Sequence, residues 1–308
     1  MSDRTALAID AGQTGVRAQL SIDGVLEQFH FDGIRTDTDL IPQLADVAAA
    51  VSRSTGFPIH TLSAGVSGLV GKPGQAHELA EAGRSFGLSE VHLAHDSISS
   101  YLGALGDERG VVVAAGTGVV TLAVGASTVA RIDGWGYLIG DAGSGFWIGR
   151  AALDAVMRAH DGRAPTTALS AVVTHDFPDL EHAYIELQAD PGRVRRIAAY
   201  AHIVADLAAT DVVAAGITRA AASELAHSAA TGLRRVGEES QVSPVVCALG
   251  GVLRAIDTLS SFESDLRAIW PKVELRTPIG TSLDGAALLP TLTGTSALKS
   301  HVLSWTEA

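Results

Sequence analysis

Cysteine occurs once, at Cys247, which excludes an intrachain disulfide framework and a cysteine-built metal cluster. Lysine stands only at Lys72, Lys272 and Lys299, and arginine is scattered, so no segment gathers a basic face. With a formal net charge of −12, this argues against a nucleic-acid partner. The N-terminus lacks a basic region followed by an apolar one. The alanine-rich stretch Ala198 to Ala209 carries Tyr200, His202 and Asp206, so it does not read as a membrane span. The expectation is a cytoplasmic protein with no membrane partner. Hydrophobic residues make up 47% against 18% charged, enough for a sizeable core. A chain of 308 residues suggests about two domains.

Glycine, by contrast, is abundant and placed with purpose. From Gly134 to Gly149, six of sixteen residues are glycine, around the single carboxylate Asp141. In a helix each would cost roughly 1 kcal/mol relative to alanine. In a loop that bares backbone amides and then opens a helix, they suit a polyhydroxylated or anionic ligand. A plain glycine-rich turn is the alternative reading.

The opening reads as three strands, Thr5 to Asp10, Val16 to Ile22 and Val25 to Phe31. A helix Asp39 to Arg53 follows, capped by Asp37 or Thr38. Then come strand Thr61 to Val66, helix Gln75 to Phe86, strand Val91 to Ala94 and a short helix after Asp96. The pattern restarts with strands Val111 to Ala115, Val119 to Val124 and Thr128 to Ile132. Residues 146–236 read as helical, with Val204, Leu207, Val212, Val213, Ile217 and Leu225 as one apolar stripe. Strand Val245 to Leu249, helix Ala255 to Ile269, strand Val273 to Arg276 and helix Leu283 to Leu292 close the chain. A strand–glycine turn–strand unit therefore occurs twice, at Asp10 and at Gly116. Two facing copies would place both turns at a shared cleft, at the carboxyl ends of strands where such sheets bind ligands.

Asp10-Ala11-Gly12-Gln13-Thr14-Gly15 fits a phosphate-binding hairpin, with Gly12 allowing close approach, Thr14 donating and Asp10 facing a phosphate-bound metal. An ordinary β-turn is the alternative. No lysine follows the glycines, so it is not a Walker loop. Gly116-Thr117-Gly118 has the same logic. Asp96 reads either as a helix N-cap or as a general base at a cleft edge, and these roles are compatible. Ser67 and Gly68, ending another strand, line the same edge. Gly250-Gly251 suits a flat ring or ribose, or tight helix–strand packing. His92 and His95 lack a third ligand at metal spacing and read as structural. Trp135 and Trp147 read as packing residues before sugar platforms, and Cys247 as buried and inert.

Taken together, these segments resemble the sugar-kinase, heat-shock-protein-70 and actin superfamily. Within it the likeness is to the N-acetylglucosamine kinase branch, the group also named for BadF/BadG-type ATPases. Asp10 to Gly15 is similar to its first phosphate motif, Gly116 to Gly118 to its second, and Ala248 to Val252 to its adenosine motif. The GWGxxxGDxGSGxxIG run is similar to its sugar-site signature.

The resemblance implies an α/β fold of two ribonuclease-H-like, actin-like ATPase domains with a cleft between them. They would span residues 1–109 and 110–284, the second carrying the helical insertion 146–236, with a C-terminal helix at about 285–308 packing back on the first. It implies an ATP-dependent kinase acting on the 6-hydroxyl of an amino sugar, N-acetylglucosamine foremost, with glucosamine and related hexoses open. Asp96 would be the base. ATP would meet Asp10, Gly12, Gln13, Thr14, Gly116, Thr117, Gly250 and Gly251, with Mg²⁺ anchored by Asp10 through water. Sugar would meet Ser67, Gly68, Asp96, Gly118, Gly134, Trp135 and Asp141. The small-molecule sugar is the expected partner, and a homodimer is left open.

Three positions depart from the family pattern: Ala142 where a glutamate is usual, and Val119 and Val120 where Ser or Asn is common. They leave the sugar undetermined. The zinc-binding cysteines of ROK kinases are absent. An ATP-hydrolysing activator would need two cysteines per subunit for its cluster. A non-catalytic sugar sensor often carries a DNA-binding segment ahead of the first phosphate motif, where this chain has nine residues.

Overall fold

A computed structural model describes residues 5–307, which divide into two α/β units. The first takes the chain through Arg109, together with Ala126–Val129 and everything from Thr277 on. It contains strands β1 (Ala6–Ala11), β2 (Val16–Ile22), β3 (Val25–Phe31), β4 (Thr61–Val66) and β5 (Glu90–His95). Helices α1 (Leu40–Thr55), α2 (Gln75–Gly83) and α3 (Asp96–Leu105) belong with them. Strands β1, β4 and β5 run parallel, while β2 and β3 extend the sheet as an antiparallel meander. Alternation sends Leu7, Ile9 and Ala11 of β1 into a core with Leu44, Ala48 and Val51 of α1 and Leu79 of α2.

Local capping differs from the sequence expectation at two helices. Asp39, not Asp37 or Thr38, caps α1 by accepting the Ile41 amide at 3.1 Å. Asp37 is paired to Arg35, and the Thr38 hydroxyl donates to the Arg35 carbonyl. At α3 the cap is His95, and Asp96 occupies the first helical position. Helix α2 stops at Gly83 and continues as a 3₁₀ turn, Arg84–Phe86, which Gly87 closes with a φ of 93°.

The second unit takes Gly110–Gly125 and Ala130–Arg276. Its strands are β6 (Gly110–Ala115), β7 (Val119–Val124), β8 (Val129–Ile132), β9 (Val245–Leu249) and β10 (Glu274–Arg276), in the order β10-β9-β6-β7-β8. The section expected to be helical is six helices: α4 (Gly145–His160), α5 (Leu169–Asp176), α6 (Ala183–Ala189), α7 (Arg193–Ala198), α8 (Tyr200–Leu207) and α9 (Val212–Arg235). Helix α10 (Ile256–Ile269) follows β9. The apolar stripe from Val204 to Leu225 is not continuous. Asp211 caps α9 by accepting the Val213 and Ala214 amides, and Val212 is left 83% exposed. Val111, Val113 and Ala115 of β6 share a core with Leu225, Ala229 and Leu233 of α9.

No single helix among the described residues is long and apolar enough to cross a membrane. One pair, Arg193–Leu207 with Val212–Arg235, has the length and composition, but it bends by 114°. Its Val204, Leu225 and Leu233 are buried in the second core.

The chain leaves the second unit after Arg276, earlier than the expected boundary at residue 284. The returning segment is not a single helix over 285–308. It forms α11 (Ser282–Leu288), 3₁₀ turns Leu289–Thr291 and Ala297–His301, and strand β11 (Leu303–Thr306). Pro290 cannot continue a helix, and Leu303 and Trp305 alternate onto the first core. β11 pairs antiparallel with β5, so the first sheet reads β11-β5-β4-β1-β2-β3. Helix α11 lies almost backbone-to-backbone on α3. A Cβ on Gly103 would sit 1.9 Å from the Thr281 carbonyl oxygen, and one on Gly285 1.8 Å from that of Ser99.

Candidate active site

In the first unit, strand register assembles one set of residues. Ala11 pairs with Val66, and Val66 with His95, so Gly12, Ser67 and Asp96 leave their parallel strands abreast. The Ser67 amide donates to the Ala11 carbonyl at 2.9 Å. The Ser67 hydroxyl donates to Oδ2 of Asp96, and Nδ1 of His95 lies 2.8 Å from Oδ1. Burial pushes the Asp96 carboxyl up. The His95 hydrogen bond and charge, then the Ser67 hydroxyl and the Ser97 amide, outweigh burial and hold it below its ordinary value. Asp96 is therefore an ionised, half-exposed carboxylate with donors on both oxygens. Gly65 on β4 makes this possible, since a Cβ there would strike Ser99 in the first turn of α3.

The hairpin Gly12–Gly15 closes on itself, with the Gly12 amide bonded to the Gly15 carbonyl at 3.1 Å. The amides of Gln13 and Thr14 have no protein acceptor among the described residues. Gly33 holds the hairpin from behind, where a Cβ would lie 2.0 Å from the Gln13 carbonyl oxygen. Gln13 donates to Thr36, whose methyl group abuts Gly68 at its φ of 73°. Oδ2 of Asp10 accepts from Arg17 at 2.5 Å and from Ser282 at 2.9 Å. Oδ1 accepts no hydrogen bond among the described residues, and one free carboxylate oxygen at a strand end fits a magnesium ion that keeps most of its waters.

The second unit builds a pocket of about 540 Å³ whose walls include Gly116, Thr117, Gly145, Ala198, Gly251 and Thr258. The Gly116 amide bonds to the Gly118 carbonyl at 2.9 Å, leaving the Thr117 amide without a protein acceptor among the described residues. The first amides of α4, from Gly145 and Phe146, donate to the Gly116 and Thr117 carbonyls and seat the turn on the helix. Gly250, at φ 92°, lies so close to β6 that a Cβ would meet the Ala115 carbonyl oxygen at 2.2 Å. Packing therefore accounts for Gly250. Gly116 and Gly251 differ: φ is ordinary at both, and an added Cβ would meet nothing within 4 Å. No contact inside the protein demands glycine at these two pocket-lining positions. Arg195 and Arg254 also line the pocket, and neither has an acidic partner among the described residues.

The glycine-rich loop of the second unit is organised by Asp133, a residue absent from the sequence expectation. Its Oδ1 accepts the amides of Gly134 at 2.7 Å and Asp141 at 2.9 Å, and its Oδ2 that of Ala142 at 2.8 Å. Arg131 bonds the Gly134 carbonyl and lies over the Trp135 ring, 4.9 Å from its centroid. Both backbone polar groups of Gly134 are thus engaged within the loop. Trp135 is 57% exposed, which corrects its reading as a packing residue; Trp147 does pack on the core. Asp141 is buried at 8% exposure, with φ 60°, accepting the Gly136 amide at 3.1 Å. A Cβ on Gly118 would lie 2.7 Å from its Oδ2. Burial is the main reason its carboxyl is raised, with Asp133 adding to it against the Gly136 amide and Arg131.

The sequence model of the BadF/BadG/BcrA/BcrD ATPase family matches residues 19–289. The chain belongs to this family. It is 28% identical over 218 residues to the N-acetylmuramic acid/N-acetylglucosamine kinase of Clostridium acetobutylicum, covering 67% of this chain and 69% of that protein. It is 42% identical over 72 residues to the N-acetyl-D-glucosamine kinase of Dictyostelium discoideum, 23% of each chain. The crystal structure of a candidate N-acetylglucosamine kinase from Chromobacterium violaceum superposes with a TM-score of 0.72 at 24% identity, covering 94% of this chain and 99% of that one. The mixed α/β, two-sheet architecture is that of this ATPase fold.

Within this family member, the residues missed from sequence have a common character. Gly33 and Gly65 act by what they leave empty, and Asp133 by amides in its own loop. The Asp133-Gly134 pair is a turn signal that could have marked the loop's entry. Cys247 is buried and its thiol is pushed up to about 11 by burial, as an inert core cysteine should be. His92 is structural, bonded to Ser304 and Glu90. His95 contacts the candidate base, with Nδ1 2.8 Å from Oδ1 of Asp96. Among the described residues no group of His, Cys, Asp and Glu could hold a metal ion unaided.

Proposed function

We propose that this chain is an ATP-dependent kinase that phosphorylates the 6-hydroxyl of an amino sugar, N-acetylglucosamine first. The observation that carries this reading is Asp96: a carboxylate kept ionised at the end of a parallel strand, with hydrogen-bond donors on both oxygens. Such a group can take a proton from an attacking alcohol, a contribution of about 10²–10⁴-fold. In the proposed reaction the sugar oxygen forms its bond to the terminal phosphorus as the bond to the bridging oxygen breaks. The hydroxyl proton passes to Asp96 and the displaced charge leaves on ADP.

Phosphoryl transfer asks the protein mainly for alignment and charge neutralisation. The unbonded amides of Gln13, Thr14 and Thr117 are suited to phosphate oxygens, and the pocket beside Gly116 and Gly251 to the nucleoside. Asp10, through Oδ1, would hold Mg²⁺ by way of water, and the ion would supply neutralising charge to the β- and γ-phosphates. Buried Asp141 is suited to a ring hydroxyl, and Ala142 in its loop and Val119 on β7 offer no polar side chain. Names of the Clostridium and Dictyostelium relatives support an N-acetylated sugar.

The test is coupled ADP release over glucose, glucosamine, N-acetylglucosamine, N-acetylmannosamine and N-acetylmuramic acid. Wild type should turn over at least one amino sugar, and Asp96→Asn should lose at least about a hundredfold in kcat while still binding that sugar. Sugar-independent ADP release, or full activity in Asp96→Asn, would sink the reading.

A further inference from the structure

Nδ1 of His95 sits 2.8 Å from Oδ1 of Asp96, 3.2 Å from the Ser97 amide nitrogen and 2.9 Å from the Ser97 hydroxyl oxygen. One ring nitrogen cannot serve the carboxylate and the amide in the same state. Accepting from the amide requires a lone pair on Nδ1, whereas meeting the carboxylate requires a proton there. Two acceptor lone pairs do not face each other at 2.8 Å, so the Asp96 contact selects Nδ1–H. The Ser97 amide is not orphaned by this choice, because it also donates to the Asp96 carboxylate.

We propose that His95 is a positioning residue for the base. Its Nδ1–H holds Oδ1 of Asp96 while the Ser67 hydroxyl holds Oδ2, so the carboxylate plane is fixed and a lone pair is left for the acceptor alcohol. This rests on the reading of Asp96 as the base. Among the described residues Asp96 is the charged group in contact with His95. On β4 its neighbours are Val66 and Ser67, on β1 Asp10 is taken by Arg17, and on α2 His77 and Glu81 pair with each other. β11 ends its pairing at Leu303 opposite Leu93, short of His95.

Two substitutions separate capping from positioning. Serine at 95 is a good N-cap but cannot reach Oδ1, and asparagine caps and keeps an N–H donor. His95→Ser should raise the titration midpoint of the Asp96 carboxyl, read by carbon NMR, and shift the acid limb of kcat/KM upward with about a tenfold loss of kcat. His95→Asn should restore both. An unmoved midpoint in His95→Ser, or no recovery in His95→Asn, overturns the proposal. Nitrogen NMR of histidine-labelled wild type checks the same point without mutation: a protonated Nδ1 is expected, and an unprotonated one overturns it. The NMR arms need no turnover. Failure of wild type to phosphorylate any sugar would therefore count against the kinase reading, while a silent Asp96 midpoint counts against the role of His95 alone.

Discussion

Asp141 shows how one side chain can cost the fold, a cost offset in the proposed reading by its hydrogen bond to the sugar. Its carboxyl is buried, raised, and carried on a left-handed backbone that asparagine also tolerates. For an acid raised in the folded state, ionisation opposes folding, so the cost is present above the carboxylate range and relieved as pH falls through it. Asp141→Asn should therefore raise the urea midpoint at neutral pH. The same change should raise the sugar KM by about ten- to a hundredfold, the worth of one hydrogen bond to a charged group, and leave that for ATP unchanged. Glycines divide in the same way. Gly116→Ala and Gly251→Ala should melt at the wild-type temperature or slightly above, because the new methyl meets no protein atom. Both should raise the KM for ATP. Gly250→Ala should instead lose at least about 1–3 kcal/mol, since its methyl collides with Ala115 and its φ is positive. Melting curves and ATP kinetics on the three variants check both halves.

At the scale of elements, position along the sheet creates the site. Gly12, Ser67 and Asp96 are far apart in the chain and come abreast because β1, β4 and β5 are parallel and in register. The strand ends were legible, at Asp10, Val66 and Ala94, each followed by turn or helix signals, while the parallel register came from the structure. The returning segment was less legible. Leu303-Ser304-Trp305-Thr306 has the period of a strand, but four residues are too short a run to outweigh the helical pattern before them. The long helical section hid its breaks for a related reason: alanine-rich sequence keeps an apolar rhythm across Asp211, and only the cap there shows where the next helix begins. The α3–α11 contact depends on two glycines with no sequence signature. Gly285→Ala should lose at least about 1–3 kcal/mol of stability, measured by urea unfolding, because α11 must move off Ser99 and Gly103. The kcat should fall with it, since α3 carries Asp96.

For the molecule as a whole, acid should be the weak side. Asp96 and Asp211 are both held below the ordinary carboxylate value, Asp211 by the Ala214 and Ala168 amides and Thr167 against the pull of burial. Depressed carboxyls add stability above the unfolded pKa of about 4, and that contribution is lost as pH falls through the folded values. Helical circular dichroism should hold from neutral pH to about 5 and decline below about 4. A loss of structure between pH 5 and 7 would contradict this. Family, fold class and the order of motifs were written in the linear chain, because apolar periodicity and glycine–aspartate spacing are local and survive without packing. Which glycines are obligatory, which residue caps α3, and which carboxylate ties the loop together emerged with the folded coordinates. Those depend on what lies across an empty Cβ position or on which of several neighbouring side chains takes a given amide, and composition and periodicity encode neither.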